Sequence, residues 1–302
     1  MPVQSALSPW AGVLLAALGA IAFSGKAIIV KLGFRYGADA VTLLALRMLV
    51  ALPFFLVMGW WARRQSQRMR LRGRDALQVI ALGFFGYYLA SFLDFAGLAY
   101  ISATLERLIL YLTPSLVLLI GFFVFRRPAT PRQLAALAIS YAGVALALVH
   151  DMQFGGSNIA LGSALVFASA LSYAIYLVGS GELVARIGAL RLTAYASTVA
   201  CVLCIVQYAL IRPLGDLAVL APAIWWLSLL NGTLCTVLPI LAVMLAIERI
   251  GSGITAQIGM LGPVSTIALS VVVLGEPMGP WQIAGTILVL AGVLLVSRAR
   301  RA

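Results

Sequence analysis

Charge is scarce in this chain: 10% of its 302 residues are Asp, Glu, Lys or Arg, while 63% are hydrophobic and the mean hydropathy is +1.07. Ordinary soluble domains carry about 25% charged residues, so a water-facing surface is excluded for most of the chain. Acidic residues are the scarcest, 9 against 21 basic ones, which leaves a net charge of +12. A single histidine, His150, sits at a helix end beside Asp151. Of the three cysteines, Cys201 and Cys204 form a CxxC inside an apolar run and Cys235 lies in another; a zinc or redox site there would lack polar support, so they read as packing residues. No Gly-rich phosphate loop, zinc-ligand spacing or Ser/His/Asp pattern occurs, which counts against an enzyme and against an ATP-driven machine acting alone. No metal or other cofactor is called for.

Apolar runs are abundant. A spanning helix takes about 20 predominantly apolar residues, and such runs recur near Trp10 to Val30, Ala40 to Trp61, Asp75 to Ala99, Ser102 to Phe125, Arg132 to Val149, Ile159 to Gly181, Arg191 to Ile211, Pro222 to Ala246, Ser252 to Leu274 and Trp281 to Val296. Lipid offers the backbone no hydrogen-bond partner, so spans are helices or closed barrels, and unbroken runs without polar alternation select helices. The expectation is an all-α integral membrane protein of ten transmembrane helices. The first run lacks the basic flank and cleavage site of a secretory signal and is read as a retained span.

The basic residues are segregated. With a cytoplasmic N-terminus, Arg63, Arg64, Arg68, Arg70, Arg72, Arg74, Arg126, Arg127, Arg132, Arg186, Arg191, Arg249, Arg298, Arg300 and Arg301 fall inside, and Lys31, Arg35 and Arg212 outside. By the positive-inside rule both termini are cytoplasmic. Topology accounts for the basic pI, so nucleic acid is not an expected partner.

Sliding the chain by 149 residues superposes Pro114 on Pro263, Pro128 on Pro277, Pro131 on Pro280, Gln133 on Gln282, Ala135 on Ala284 and Ala142-Gly143-Val144 on Ala291-Gly292-Val293. A shift of 150 relates Gly12, Leu15 and Ala20 to Gly162, Leu165 and Ala170. The chain reads as a duplicated five-helix unit, 8–149 and 158–298. Five is odd, so the copies enter the membrane in opposite orientations around a central cavity, the arrangement of many secondary transporters. Where the second copy has Gly275-Glu276-Pro277 the first has Arg126-Arg127-Pro128; charge bias explains the exchange, acidic outside and basic inside.

These residues resemble the drug/metabolite transporter superfamily, in its ten-helix branch with two EamA repeats. The resemblance is carried by Phe34 to Arg47 with its Leu46-Arg47, by Ala99-Tyr100-Ile101-Ser102-Ala103, by Pro114 and Pro263, by Gly275-Glu276-Pro277, and by Gln282, Gly285 and Gly292. It implies a pocket between the halves, lined by the third, fourth, eighth and ninth spans and closed by the first and sixth. Within the branch the chain is most similar to bacterial exporters of aromatic and other amino acids, which implies a bacterial inner (plasma) membrane. The superfamily's small multidrug pumps use a glutamate in the first helix; this chain has none there, which disfavours efflux of lipophilic cations.

Ionisable groups within spans are costly and are functional candidates by default. Counted at 1.5 Å per residue, Lys26, Arg47, Asp94, Glu106 and Arg107 share a depth roughly 5 to 10 Å below the outer interface. Asp94 and Arg107 stand about equally far from the turn near Tyr100, and a salt bridge between them is expected, serving either to hold helix ends together or as a vestibule or gate. Lys26 either snorkels outward or helps form the site with Phe23. Tyr87, Tyr88, Tyr111, Tyr173, Tyr176, Asn231 and Gln257 lie deeper, and either line the substrate cavity or bond across helix contacts. Pro114 and Pro263 predict bends at equivalent depths. The expected activity is export of amino acids and related small metabolites, zwitterionic or anionic, with nucleotide sugars or phosphorylated metabolites as the other substrate class and a membrane scaffold or sensor as the non-transport reading.

Overall fold

The computed structural model describes residues 9–65, 73–126, 130–154, 158–259 and 261–299. Among the described residues, eight helices are long and apolar enough to cross a membrane: Trp10–Arg35, Ala40–Arg64, Gly73–Leu98, Ala103–Val124, Pro131–Val149, Ile159–Gly181, Ala189–Ile211 and Pro222–Ile247. Two shorter apolar helices, Leu261–Leu274 and Pro280–Leu295, follow; the ten are numbered below as spans in chain order. The eighth and ninth are separated by Gly251, whose φ of 78° interrupts the helix Leu238–Gly259. Only glycine adopts that conformation without strain, and the residues after it lead into the ninth span. No strand occurs among the described residues. Large apolar side chains such as Leu18, Val272 and Ile287 face outward from the spans, as lipid rather than water requires.

The two halves pack reciprocally. The first span packs on the eighth and ninth, and the sixth on the third and fourth; the second packs on the seventh, and the fifth on the tenth. A Cβ on Gly12 would lie 2.6 Å from Ile250, and one on its repeat partner Gly162 would lie 2.7 Å from Tyr100. Likewise a Cβ on Gly143 would meet the Gly285 carbonyl at 2.6 Å, and one on Gly292 the Ala136 carbonyl at 2.7 Å. Each contact is the other with its two members moved to the opposite half. Gly285 of the tenth span faces Gly143 and Ala147 of the fifth, whereas Gly292 faces Ser140 and Ala136, so these repeat-related helices run antiparallel.

The irregular backbone is duplicated as well. Wide π turns occupy Phe84–Leu89 in the third span and Thr233–Val237 in the eighth, 149 residues apart. A π turn frees backbone carbonyls, and in the third span Ser172 Oγ donates to the Phe85 carbonyl and Ser169 Oγ to that of Ala90, both at 2.7 Å. The fourth and ninth spans end on left-handed residues at equivalent places, Arg126 (φ 53°) and Gly275 (φ 69°). Pro114 is the second residue of Thr113–Phe125, which follows a break after Ala103–Leu110. Pro263 lies in the first turn of Leu261–Leu269.

One end of the bundle is tied together at the start of the fourth span. Glu276 Oε1 accepts from the Ala103 amide at 2.8 Å and its Oε2 from the Thr104 amide at 3.4 Å, while Asp151 accepts from the Ser102 amide at 3.2 Å and from Gln282 Nε2 at 2.9 Å. Two carboxylates thus meet the amide-rich end of a helix, where negative charge is favoured. Arg35 donates to the Leu274 carbonyl at 2.6 Å, and Arg212 pairs with Asp39. Arg186 forks onto Asp75 at 2.9 and 3.0 Å.

Candidate functional site

The fold brings the membrane charges together, but not in the pairs that counting residues implies. Lys26 Nζ lies 2.5 Å from Asp94 Oδ2 and 3.3 Å from Glu106 Oε1, with Lys26 6% exposed and Glu106 fully buried. The expected Asp94–Arg107 bridge is therefore replaced by one to Lys26. Rise along two antiparallel helices gives a height but no azimuth, and the first span packs against both the third and the fourth and places its ammonium between their carboxylates. Lys26 does not snorkel. Asp94 Oδ1 and Glu106 Oε2 have no hydrogen-bond partner, and Glu106 Oε1, though within ion-pair distance of Lys26, is not aligned for a hydrogen bond.

Arg47 is otherwise engaged. Its Nε donates to Thr236 Oγ1 at 2.8 Å, Thr236 in turn donates to the Asn231 carbonyl across the π turn of the eighth span, and its guanidinium lies 5.3 Å over the Phe95 ring. It joins the second span to the eighth. Arg107 lies between two rings, 5.4 Å from the centroid of Phe23 and 5.6 Å from that of Tyr111. It forms no ion pair among the described residues, and its Nε has no partner. Phe23 also stands 5.6 Å from Lys26 Nζ. Tyr111 donates to the Gly259 carbonyl at 3.2 Å.

The other tyrosines gather elsewhere. Tyr87 and Tyr176 share a hydroxyl contact of 3.2 Å, and Tyr173 stacks on Tyr176 at 5.5 Å. Tyr87 and Tyr176 pack with Leu82, Leu192 and Ala196 where the third, sixth and seventh spans meet, so they bond across a helix contact. Tyr88 packs on the core containing Phe95 and Cys201. Asn231 is buried with its Oδ1 unpartnered. Gln257 lies in a helix, its side chain outside the described residues, as are Arg68, Arg70, Arg72, Arg127, Arg300 and Arg301.

Several polar groups at this site escape a search for charge. Ser24 Oγ donates to the Gly262 carbonyl at 2.7 Å, joining the first span to the ninth, and Thr104 Oγ1 meets Ser270 Oγ at 2.9 Å, joining the fourth to the ninth. Isolated serines and threonines in apolar runs give no signal of their own. The charged side chains of the cluster are buried, whereas Phe23 at its edge is exposed. Open depressions lie beside Lys31, Phe34, Arg35, Ala99, Leu274 and Glu276 (about 380 Å³) and beside Trp60, Arg63 and Arg64 (about 370 Å³).

Comparison with known proteins places this arrangement. The chain is 30% identical to the uncharacterized transporter YcbK of Bacillus subtilis over 91% of its own length and 89% of that protein's. It is 25% identical to an uncharacterized transporter of Archaeoglobus fulgidus, covering 94% and 96%. A crystal structure 18% identical superposes with a TM-score of 0.64 over 97% of this chain and 99% of the other, which shows a common fold. The EamA-like transporter family matches each half, residues 10–149 and 160–298, and the chain therefore belongs to that family, within the drug/metabolite transporter superfamily, as a multi-pass membrane transporter.

Proposed function

We propose that the protein is a secondary transporter that exports amino acids and related small metabolites by alternating access. The observation that carries this is a buried cluster from the first, third and fourth spans in which Lys26, Asp94, Glu106 and Arg107 meet beside Phe23 and Tyr111. With Arg47, three cations share two carboxylates, so the cluster favours a ligand bringing negative charge, and the flanking rings suit an apolar side chain. The antiparallel packing of repeat-related helices supports an inverted repeat, whose halves exchange conformations and turn a midplane site from one face to the other. The distribution of arginines supports a cytoplasmic position for both termini, and the similarity to bacterial transporters supports a bacterial inner membrane.

Counterflow in reconstituted vesicles tests the reading. Labelled amino acid should exchange saturably against unlabelled amino acid without ATP. Absence of exchange for every amino acid in the panel sinks it, and saturable exchange of a sugar phosphate would move the assignment to phosphorylated metabolites.

A further inference from the structure

Three cations and two carboxylates meet in this cluster, and both carboxylates are on Lys26. Arg47 is held by Thr236 and Phe95. Arg107 remains: 6% exposed, bound to no acid among the described residues, and flanked by aromatic faces that attract a cation but cannot accept its in-plane hydrogen bonds. A buried guanidinium with no acid in ion-pair contact is among the costly groups a membrane helix can carry. Arg107 packs directly against the backbone of the ninth span at Gly262, where no side chain separates the two helices. A Cβ on Gly262 would lie 2.7 Å from Arg107 Nη2, 3.3 Å from Tyr111 Oη and 3.6 Å from Ser24 Oγ, so three polar groups of the first and fourth spans converge over one glycine of the ninth. The two hydroxyls spend their protons on the carbonyls of Gly259 and Gly262. Free donors at that point come from the guanidinium, whose planar fork matches a carboxylate.

We infer that Arg107 is the residue that binds the carboxylate of the transported substrate over Gly262, with Phe23 and Tyr111 flanking the bound group, and that Lys26 serves to compensate Asp94 and Glu106. The substrate class is a monocarboxylate, zwitterionic or anionic; the inference rests on the proposed transport of amino acids and names their anchor.

Purified protein in detergent is titrated calorimetrically with L-phenylalanine, 3-phenylpropionate and L-phenylalaninamide, and its melting temperature is recorded without ligand. Wild type should bind the two carboxylates about tenfold to a hundredfold more tightly than the amide, as a charge-assisted pair implies. Arg107→Gln should erase that preference while leaving the ligand-free melting temperature unchanged or higher, because it removes a buried charge that forms no ion pair among the described residues. Gly262→Ala keeps the cation but drives its flexible tip aside, and should weaken the carboxylates alone. Three results overturn the assignment: a preference that survives Arg107→Gln, an Arg107→Gln protein that melts far below wild type, or wild type that binds neither carboxylate at millimolar concentration. Carboxylate-selective binding lost in Arg107→Gln without amino-acid counterflow in vesicles would refute export and support the anchor.

Discussion

Lys26 holds two carboxylates from different helices, so its removal leaves Asp94 and Glu106 side by side with their shared cation gone. Breaking a buried ion pair by deleting one partner costs about 3 to 5 kcal/mol. Lys26→Met is accordingly expected to lower the melting temperature and the yield of monodisperse protein in detergent, and Lys26→Met with Asp94→Asn and Glu106→Gln should recover much of the loss. A single Lys26→Met variant as stable as wild type would show that the cluster is compensated in another way. Arg107 gives the opposite expectation, since its replacement removes a buried charge that forms no ion pair among the described residues. Lys26 and Arg107 are both basic and share a depth by residue count, and what separates their stability roles is which neighbours the helices present to them.

Individual helices carry their own tests. The start of the fourth span depends on Glu276 and Asp151, contributed by the ends of the ninth and fifth. Losing a side-chain cap costs typically about 1 kcal/mol, so Glu276→Ala should lower thermal stability by that order, with Glu276→Gln retaining part of it through its carbonyl oxygen. Equal stability of Glu276→Ala and wild type would remove the cap from the account. At the far end of the same span Arg126 holds φ 53°, the place that Gly275 fills in the other half. A non-glycine residue in the left-handed region costs about 1 kcal/mol, and Arg126→Gly should raise the melting temperature in detergent. Gly285→Leu acts in reverse: even a Cβ there would sit 2.5 Å from the Gly143 carbonyl oxygen, a backbone atom with no freedom to yield, so the fifth and tenth spans should separate and folded protein be lost.

The whole molecule has a sidedness that labelling can read. Asp216 lies in the exposed connection between the seventh and eighth spans, and Arg64 at the end of the second, its guanidinium 3.9 Å over the Trp60 ring. With both termini cytoplasmic, an impermeant maleimide should label an Asp216→Cys variant in intact cells and an Arg64→Cys variant only after permeabilisation; the reverse pattern would invert the protein in the membrane. The three native cysteines are buried and should contribute little background. The reciprocal glycine contacts also predict that the two halves change place in the cycle. On the proposed alternating-access mechanism the end tied by Glu276, Asp151 and Arg35 would have to open when the site faces it, so cross-linking Thr104 to the Glu276 turn should arrest exchange while leaving the proposed carboxylate binding intact.

Ten helices, the duplication and the family could all be read from the chain, because each rests on quantities that sequence carries directly: run length of apolar residues, a repeat period, and the sign of charge in successive loops. Proline alone did not fix where the helices break: Pro114 begins a new helix, where it is tolerated, while Pro53 lies within the continuous helix Ala40–Gln65. Partners could not be read either. Depth along a helix follows from counting, but azimuth depends on how spans pack, and packing sent Asp94 to Lys26 rather than Arg107 and moved Tyr87 and Tyr176 into a helix contact. The role of Gly262 was invisible for the same reason: a glycine carries no chemical signal, and only the packing shows that polar groups of two other helices come directly against its backbone. Membrane insertion is decided residue by residue along the chain, whereas the compensation of a buried charge is decided between helices, and only the folded protein sets it.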